Sequence, residues 1–279
     1  YIISGSTHQR LGASLAEEMD AEFCGVVNRH FPDGERYIRV LMDVNEQDVV
    51  VIQNTFPDKK IVELLLILQA VKEAGAKTVT CVIPYMGYSR QERIFQSGEA
   101  RSAKAIASVI GGMCDRVFTI NVHTPEILKF FGCEANDING SREVVRYLKG
   151  FGPDMVIAPD EGSRDRCTLA ADLLKVPVHV MKKVRIDGRT VETSSGQINV
   201  KGSTAVILDD IISTGGTIAT AANILREGGA ERVFAACTHG LFIEDAANRL
   251  RVCDDILSSD TLEGVYTRFS VAPAIADAL

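Results

Sequence analysis

The chain has 279 residues, 46% of them hydrophobic, and a formal net charge of −7. That length has room for two domains or one large one, and that apolar content supplies a sizeable core, which excludes a disordered chain. The acidic balance argues against nucleic acid as a partner, and no apolar run approaches the ~18 residues of a membrane span, which argues against a membrane.

The opening Tyr1-Ile2-Ile3-Ser4 reads as a strand with no leader pattern ahead of it. Seven Cys are scattered singly with no C-x-x-C pair, the pattern of small buried hydrophobes in a reducing compartment. The expected location is the cytoplasm. Ser6 and Thr7 offer caps for a helix carrying Leu11, Leu15 and Met19 on one face. Strands are predicted over 23–27, 37–42 and 49–53, then a helix over 59–74 that Gly75 stops. Residues 64–68 are apolar nearly all round, so more than one helix face is buried, against a deep core or a second subunit. A strand over 79–83, a helix over 101–110 and a strand over 117–122 follow. A second series begins at Ser141, with a helix to 148, a strand over 155–158, a helix over 164–174 and a strand over 177–180. It continues through a strand from Ala205, a helix, a strand over 232–238, a helix over 244–251, two closing strands and a short helix over 272–279. Alternating strands and helices predict an α/β fold whose mainly parallel sheets are covered by helices on both faces. The boundary falls at Asn139-Gly140, giving domains over 1–140 and 141–270 and a C-terminal helix over 271–279 that can pack back on the first domain. Asn139-Gly140-Ser141 matches a glycosylation pattern but reads here as a turn.

The most informative stretch runs from Ala205 to Thr217. A short β-branched apolar run ends in Asp209-Asp210, passes through Ser213-Thr214-Gly215-Gly216-Thr217, and enters a helix carrying Ile218, Ala221, Ala222 and Leu225. A small-residue loop at a helix N-terminus points several backbone N–H groups at one spot, where the helix dipole also favours an anion, so it suits a phosphate. Adjacent carboxylates repel a phosphate and instead suit sugar hydroxyls or a shared cation. A sugar phosphate is the expected ligand; an ordinary strand-to-helix turn is the bland alternative.

Other stretches carry weaker signals. Phe31-Pro32-Asp33-Gly34-Glu35 lies between two predicted strands, where Asp-Gly signals a hairpin, yet Phe31 can stack on a flat base and the carboxylates can accept from an amine. Arg90, Gln91 and Arg93 follow a strand, at the edge where open α/β sheets bind ligands, and the arginines can fork onto phosphate oxygens. His123 ends another strand, with Thr124 and Pro125 suited to an N-cap and a first helical position. Asp160 has the same placement in the second series and suits either Mg²⁺ or an N-cap. Lys182-Lys183-Val184-Arg185 opens a polar segment reaching Gly202, which is either a lid bringing cations to a phosphorus centre or a surface hairpin.

Taken in this order, these motifs resemble the ribose-phosphate diphosphokinase (phosphoribosyl diphosphate synthetase) family across essentially the whole chain, in its shorter archaeal-type form. The resemblance rests on Phe31 to Glu35, Arg90-Gln91, His123 with Phe130-Phe131, Asp160, Lys183-x-Arg185 and Asp209 to Thr217. It implies two phosphoribosyltransferase-like domains and transfer of the diphosphoryl group of ATP to the C1 hydroxyl of ribose 5-phosphate, with Mg²⁺. It further implies that Phe31, Asp33, Gly34 and Glu35 grip adenine from a neighbouring subunit of a homo-oligomer, a dimer at minimum, with Arg90, Gln91 and His123 on the rest of ATP. By the same resemblance His123 and Asp160 seat the metal, and Lys183 and Arg185 are catalytic. Arg185, Asp209, Asp210, Ser213, Thr214, Gly215, Gly216 and Thr217 would take the sugar phosphate. The chain departs from many family members in carrying Ser213 in place of Asp and Thr124-Pro125-Glu126 after His123. Two other readings share the Asp209–Thr217 motif: a nucleobase phosphoribosyltransferase, and a non-catalytic sugar-phosphate-binding regulator.

Overall fold

The computed structural model describes residues 1–186, 190–194 and 199–279, the side chains of 182–186 and 190–194 excepted. The chain divides into two compact units, residues 1–139 with 271–279, and residues 140–270.

In the first unit, β1 (Ile2–Ser4), α1 (Gln9–Glu18), β2 (Phe23–His30), β3 (Arg36–Val40), β4 (Asp48–Ile52) and α2 (Lys59–Glu73) come first. Then follow β5 (Thr78–Ile83), α3 (Ser102–Gly111), β6 (Arg116–Ile120), a 3₁₀ turn at Pro125–Phe130, and β7 (Glu134–Ile138). The seven strands lie in the order β3-β2-β1-β4-β5-β6-β7, and all pairs are parallel except the β2–β3 hairpin. The central strands are β-branched runs buried on both faces, as a parallel sheet demands. Leu64, Ile67, Leu68 and Val71 of α2 share one core with Val51 and Val79, while Val62 on the opposite side stays 52% exposed. Leu11 and Leu15 of α1 pack on the other face with Val271 and Ile275.

Two expectations fail in this unit. Ser6 and Thr7 do not cap α1: Ser6 N–H and Oγ donate to Glu63 at 2.7 and 2.9 Å, and Thr7 Oγ1 donates to Gln53 Oε1 at 2.5 Å. The fully buried Glu63 holds Ser6 and Gln53 holds Thr7, so neither hydroxyl is turned to accept from the first N–H groups of α1; Glu63 is also paired with Lys60 at 3.0 Å and Arg36 at 3.2 Å. The strand β7 was not expected from Glu-Ala-Asn-Asp-Ile, which lacks an apolar alternation. Its ladder with β6, and the 2.6 Å bond from Thr119 Oγ1 to Asp137 Oδ1, override the weak local propensity.

The second unit holds α4 (Ser141–Leu148), β8 (Met155–Ala158), a 3₁₀ turn at Glu161–Ser163, α5 (Arg164–Leu174), β9 (Val178–Val180), β10 (Lys182–Ile186) and β11 (Thr190–Ser194). After these come β12 (Thr204–Ile212), α6 (Gly216–Glu227), β13 (Arg232–Gly240), α7 (Ala246–Arg249), β14 (Asp255–Ser259) and β15 (Thr267–Phe269). The six-stranded sheet runs β15-β14-β13-β12-β8-β9 and is wholly parallel. Ile218, Ala222 and Leu225 of α6 cover one face, and Val144, Leu148, Cys167 and Ala170 of α4 and α5 cover the other. The polar segment after Lys182 forms the hairpin β10–β11, with Lys182 opposite Ser194 and Ile186 opposite Thr190. Residues 187–189 and 195–198 of that segment fall outside the described residues. The helix predicted over 244–251 is shorter, because Phe242 and Glu244 adopt left-handed φ values of 42° and 54°, so α7 starts only at Ala246. The chain ends in α8 (Ala272–Ala276), which belongs to the first unit. No described helix is long and apolar enough to cross a membrane.

Candidate active site

The second unit gathers its polar groups at the C-terminal ends of two adjacent strands. Ala205 to Leu208 of β12 are buried, and the strand carries Asp209 and Asp210 on to Ile212, further than the sequence predicts. Asp209 Oδ1 accepts from Ser163 Oγ at 2.8 Å, from Arg166 Nη1 at 3.0 Å and from the Asp210 N–H at 2.9 Å. The other arm of Arg166 lies 3.2 Å from Asp210 Oδ2. Burial and then the neighbouring Asp210 raise the Asp209 carboxyl above the ordinary range, while Ser163 and Arg166 oppose them. Asp160, two residues beyond β8, takes the Ser163 N–H and hydroxyl on Oδ1, both at 3.2 Å. The N-cap alternative for Asp160 is therefore realised, on the 3₁₀ turn that leads into α5.

The loop that follows has the form an anion requires. Gly215 sits at φ 75°, a left-handed conformation costly to other residues, and an added Cβ would meet Leu250 at 3.0 Å. The Ser213 carbonyl accepts from Ile243 N–H at 3.1 Å and the Thr214 carbonyl from Arg249 Nη1 at 3.0 Å. These bonds hold the loop carbonyls, and the first-turn N–H groups of α6, from Gly216 and Thr217 on, lack intrahelical acceptors. Lys183 and Arg185 stand two apart on β10, opposite Thr193 and Val191, and their side chains lie outside the description.

In the first unit, Phe31 to Glu35 form the tip of the β2–β3 hairpin. Phe31 N–H donates to the Glu35 carbonyl at 2.8 Å, Glu35 N–H to Asp33 Oδ1 at 2.9 Å, and Gly34 takes φ 93°. The Phe31 ring meets Tyr37 edge-on at 5.7 Å and remains 44% exposed. Beside this tip lies a groove of about 410 Å³ lined by Gly34, Glu35, Arg36, Lys59 and Val62. Arg90 is exposed after β5, while Gln91 Oε1 accepts from Ser102 Oγ at 3.1 Å where α3 begins. Arg93 stacks instead on Phe95 at 4.9 Å. His123 is exposed just beyond β6, where Asn121 at φ 44° turns the chain and Val122 N–H is held by Asp137 Oδ1 at 2.9 Å. Thr124 does precede a 3₁₀ turn with Pro125 first, but its buried Oγ1 makes no capping bond.

The structure thus joins Asp160, Asp209 and Asp210 through two residues that sequence reasoning missed, Ser163 and Arg166, and Ser213–Thr217 follow the acids along the chain. Two adjacent acids need a cation, but nothing in the sequence singles out Arg166 as the one that supplies it. No group of three or more His, Cys, Asp or Glu side chains among the described residues is arranged to hold a metal.

A parallel sheet ending in paired acids above a small-residue anion loop defines a phosphoribosyltransferase-type domain. The family model of the phosphoribosyl transferase domain matches residues 139–271, and that of the N-terminal domain of ribose phosphate pyrophosphokinase matches residues 1–113. The ribose-phosphate pyrophosphokinase of Methanopyrus kandleri is 38% identical over 284 aligned residues, covering 100% of this chain and 98% of that one. That of Methanothermobacter thermautotrophicus is 39% identical, covering 100% and 99%. The crystal structure of phosphoribosylpyrophosphate synthetase from Mycobacterium smegmatis superposes with a TM-score of 0.85 at 28% identity, covering 99% of this chain and 96% of that one. The chain belongs to the ribose-phosphate pyrophosphokinase family.

Proposed function

We propose that the protein transfers the diphosphoryl group of ATP to the C1 hydroxyl of ribose 5-phosphate, releasing AMP. The observation that carries this reading is the pairing of an acid-flanked anion loop, Asp209 to Thr217, with a preceding unit of the pyrophosphokinase type. A nucleobase phosphoribosyltransferase has no use for that first unit. In this reading Ser213 to Thr217 bind the 5-phosphate through backbone N–H groups, and Asp209 and Asp210 accept from ribose hydroxyls. Phe31, Asp33, Gly34 and Glu35 bind adenine, working in a neighbouring subunit of a homo-oligomer, a dimer at minimum. Arg90, Gln91 and His123 hold the rest of ATP. Lys183 and Arg185, supplied by the β10–β11 hairpin, meet the charge that develops on the transferred phosphoryl oxygens. Positioning and electrostatics then supply most of the barrier lowering.

Asp160 offers a hard carboxylate oxygen, the donor Mg²⁺ takes together with waters and phosphate oxygens, so the residue fits that ion. His123, whose imidazole nitrogen suits Mg²⁺ less well, seats the metal–polyphosphate from the first unit. Held there, Mg²⁺ would supply positive charge to offset that of the phosphate groups. A soluble cytoplasmic enzyme is the setting that seven free thiols favour. Incubation with ATP, Mg²⁺ and ribose 5-phosphate tests the reading. AMP that forms only when the sugar phosphate is present supports it, and consumption of phosphoribosyl diphosphate with a free base supports the transferase instead.

A further inference from the structure

Resting on the reading of Asp160 as a cation seat and Asp209 as a sugar-hydroxyl seat, we propose that Ser163 is a positioning residue that couples the two. Its side chain is 1% exposed, and its hydroxyl stands 3.2 Å from Asp160 Oδ1 and 2.8 Å from Asp209 Oδ1. Asp160 follows β8 and Asp209 lies on the neighbouring parallel strand β12, and Asp209 is 46 residues from Ser163 in sequence.

A hydroxyl carries one proton, so it donates fully to only one of two facing carboxylates at a time. The Ser163 side chain makes no capping bond to α5, and Asp160 already caps the 3₁₀ turn through the Ser163 N–H, so the shorter contact to Asp209 is not needed to start a helix. A buried hydroxyl shared by two acids makes the strength of one bond depend on the demand at the other. A cation that draws on the Asp160 oxygen weakens that oxygen as an acceptor and releases the Ser163 proton to Asp209. Asp209 Oδ1 is then held by three donors, Ser163, Arg166 and the Asp210 N–H, and its carboxylate is fixed for the sugar hydroxyls. Cation binding therefore tightens sugar-phosphate binding, and linkage requires the reverse to the same degree.

Calorimetric titration with ribose 5-phosphate, with and without Mg²⁺ and with no ATP present, tests this without turnover. The wild-type protein is expected to bind the sugar phosphate about fivefold or more tightly when Mg²⁺ is present, the low end for linked sites. Ser163→Ala is expected to reduce that effect below about twofold while thermal unfolding shows a folded protein, and Ser163→Thr, which keeps the hydroxyl, is expected to restore it. If Ser163→Ala does not fold, Ser163→Cys, a weak donor of similar size, takes its place with the same expected loss. An undiminished Mg²⁺ effect in the variant, or no Mg²⁺ effect in the wild type, overturns the coupling and leaves the functional reading intact. A wild-type protein that does not bind ribose 5-phosphate at all overturns the functional reading itself.

Discussion

Arg166 Nη1 lies 3.0 Å from Asp209 Oδ1, and the same guanidinium places Nη2 3.2 Å from Asp210 Oδ2. One planar cation thus spans two adjacent acids that would otherwise repel each other at the mouth of the anion loop. Because Arg166 extends from α5 while the acids lie near the end of β12, the pair also ties a helix to the strand that leads into the Ser213–Gly215 loop.

Replacing Arg166 by Met removes the compensating charge and keeps most of the side-chain volume. The pair is partly exposed, so the expected cost is about 1–3 kcal/mol, below that of a fully buried pair. Denaturant titration at neutral pH reads it. A stability within ~0.5 kcal/mol of wild type, the range of ordinary surface substitutions, would show that the acids do not need this cation.

Glu63 gives a pH dependence of defined sign. Burial raises its carboxyl, but hydrogen bonds from Ser6 and Lys60 outweigh this and leave it below the ordinary range. A lowered native value means that the unfolded chain binds the proton more readily, so this contribution to stability is present above the unfolded value. It is lost as pH falls through the native one. Glu63→Gln, which strands Arg36 and Lys60, is expected to cost about 3 kcal/mol at pH 7. The gap to wild type should narrow below about pH 4. Equal gaps at both pH values would contradict the ionised state of Glu63.

Gly215→Ala forces a β-carbon onto a left-handed residue and toward Leu250. A strain of about 1–2 kcal/mol, expressed at the loop, predicts roughly a tenfold rise in KM for ribose 5-phosphate. An unchanged KM would place the phosphate elsewhere.

Lys183→Ala is expected to lower kcat on the order of 100-fold with little change in KM, the signature of a contact made only in the transition state. An unchanged kcat removes Lys183 from catalysis.

The strand over 155–158 and the helix over 164–174 were legible to the residue, because a four-residue apolar run and a bounded helical period leave one solution each. The turn after β12 was legible for a different reason: Gly215 is dictated locally by its φ of 75°, where the chain turns into α6. What escaped was set by distant partners. Ser6 looks like a cap until the buried Glu63 claims it, and Glu134–Ile138 looks like a loop until β6 pairs with it. Ser163 and Arg166 carry no motif of their own; they matter because α5 packs where β12 ends, a fact of tertiary structure alone.

The central claim is transfer of an intact diphosphoryl group to the sugar. Phosphorus NMR of a reaction with ATP, Mg²⁺ and ribose 5-phosphate tests it most directly. The account predicts AMP and a sugar bearing a new diphosphate at C1, formed in equal amounts. ADP with a singly phosphorylated C1, or ATP breakdown that ignores the sugar phosphate, would contradict it.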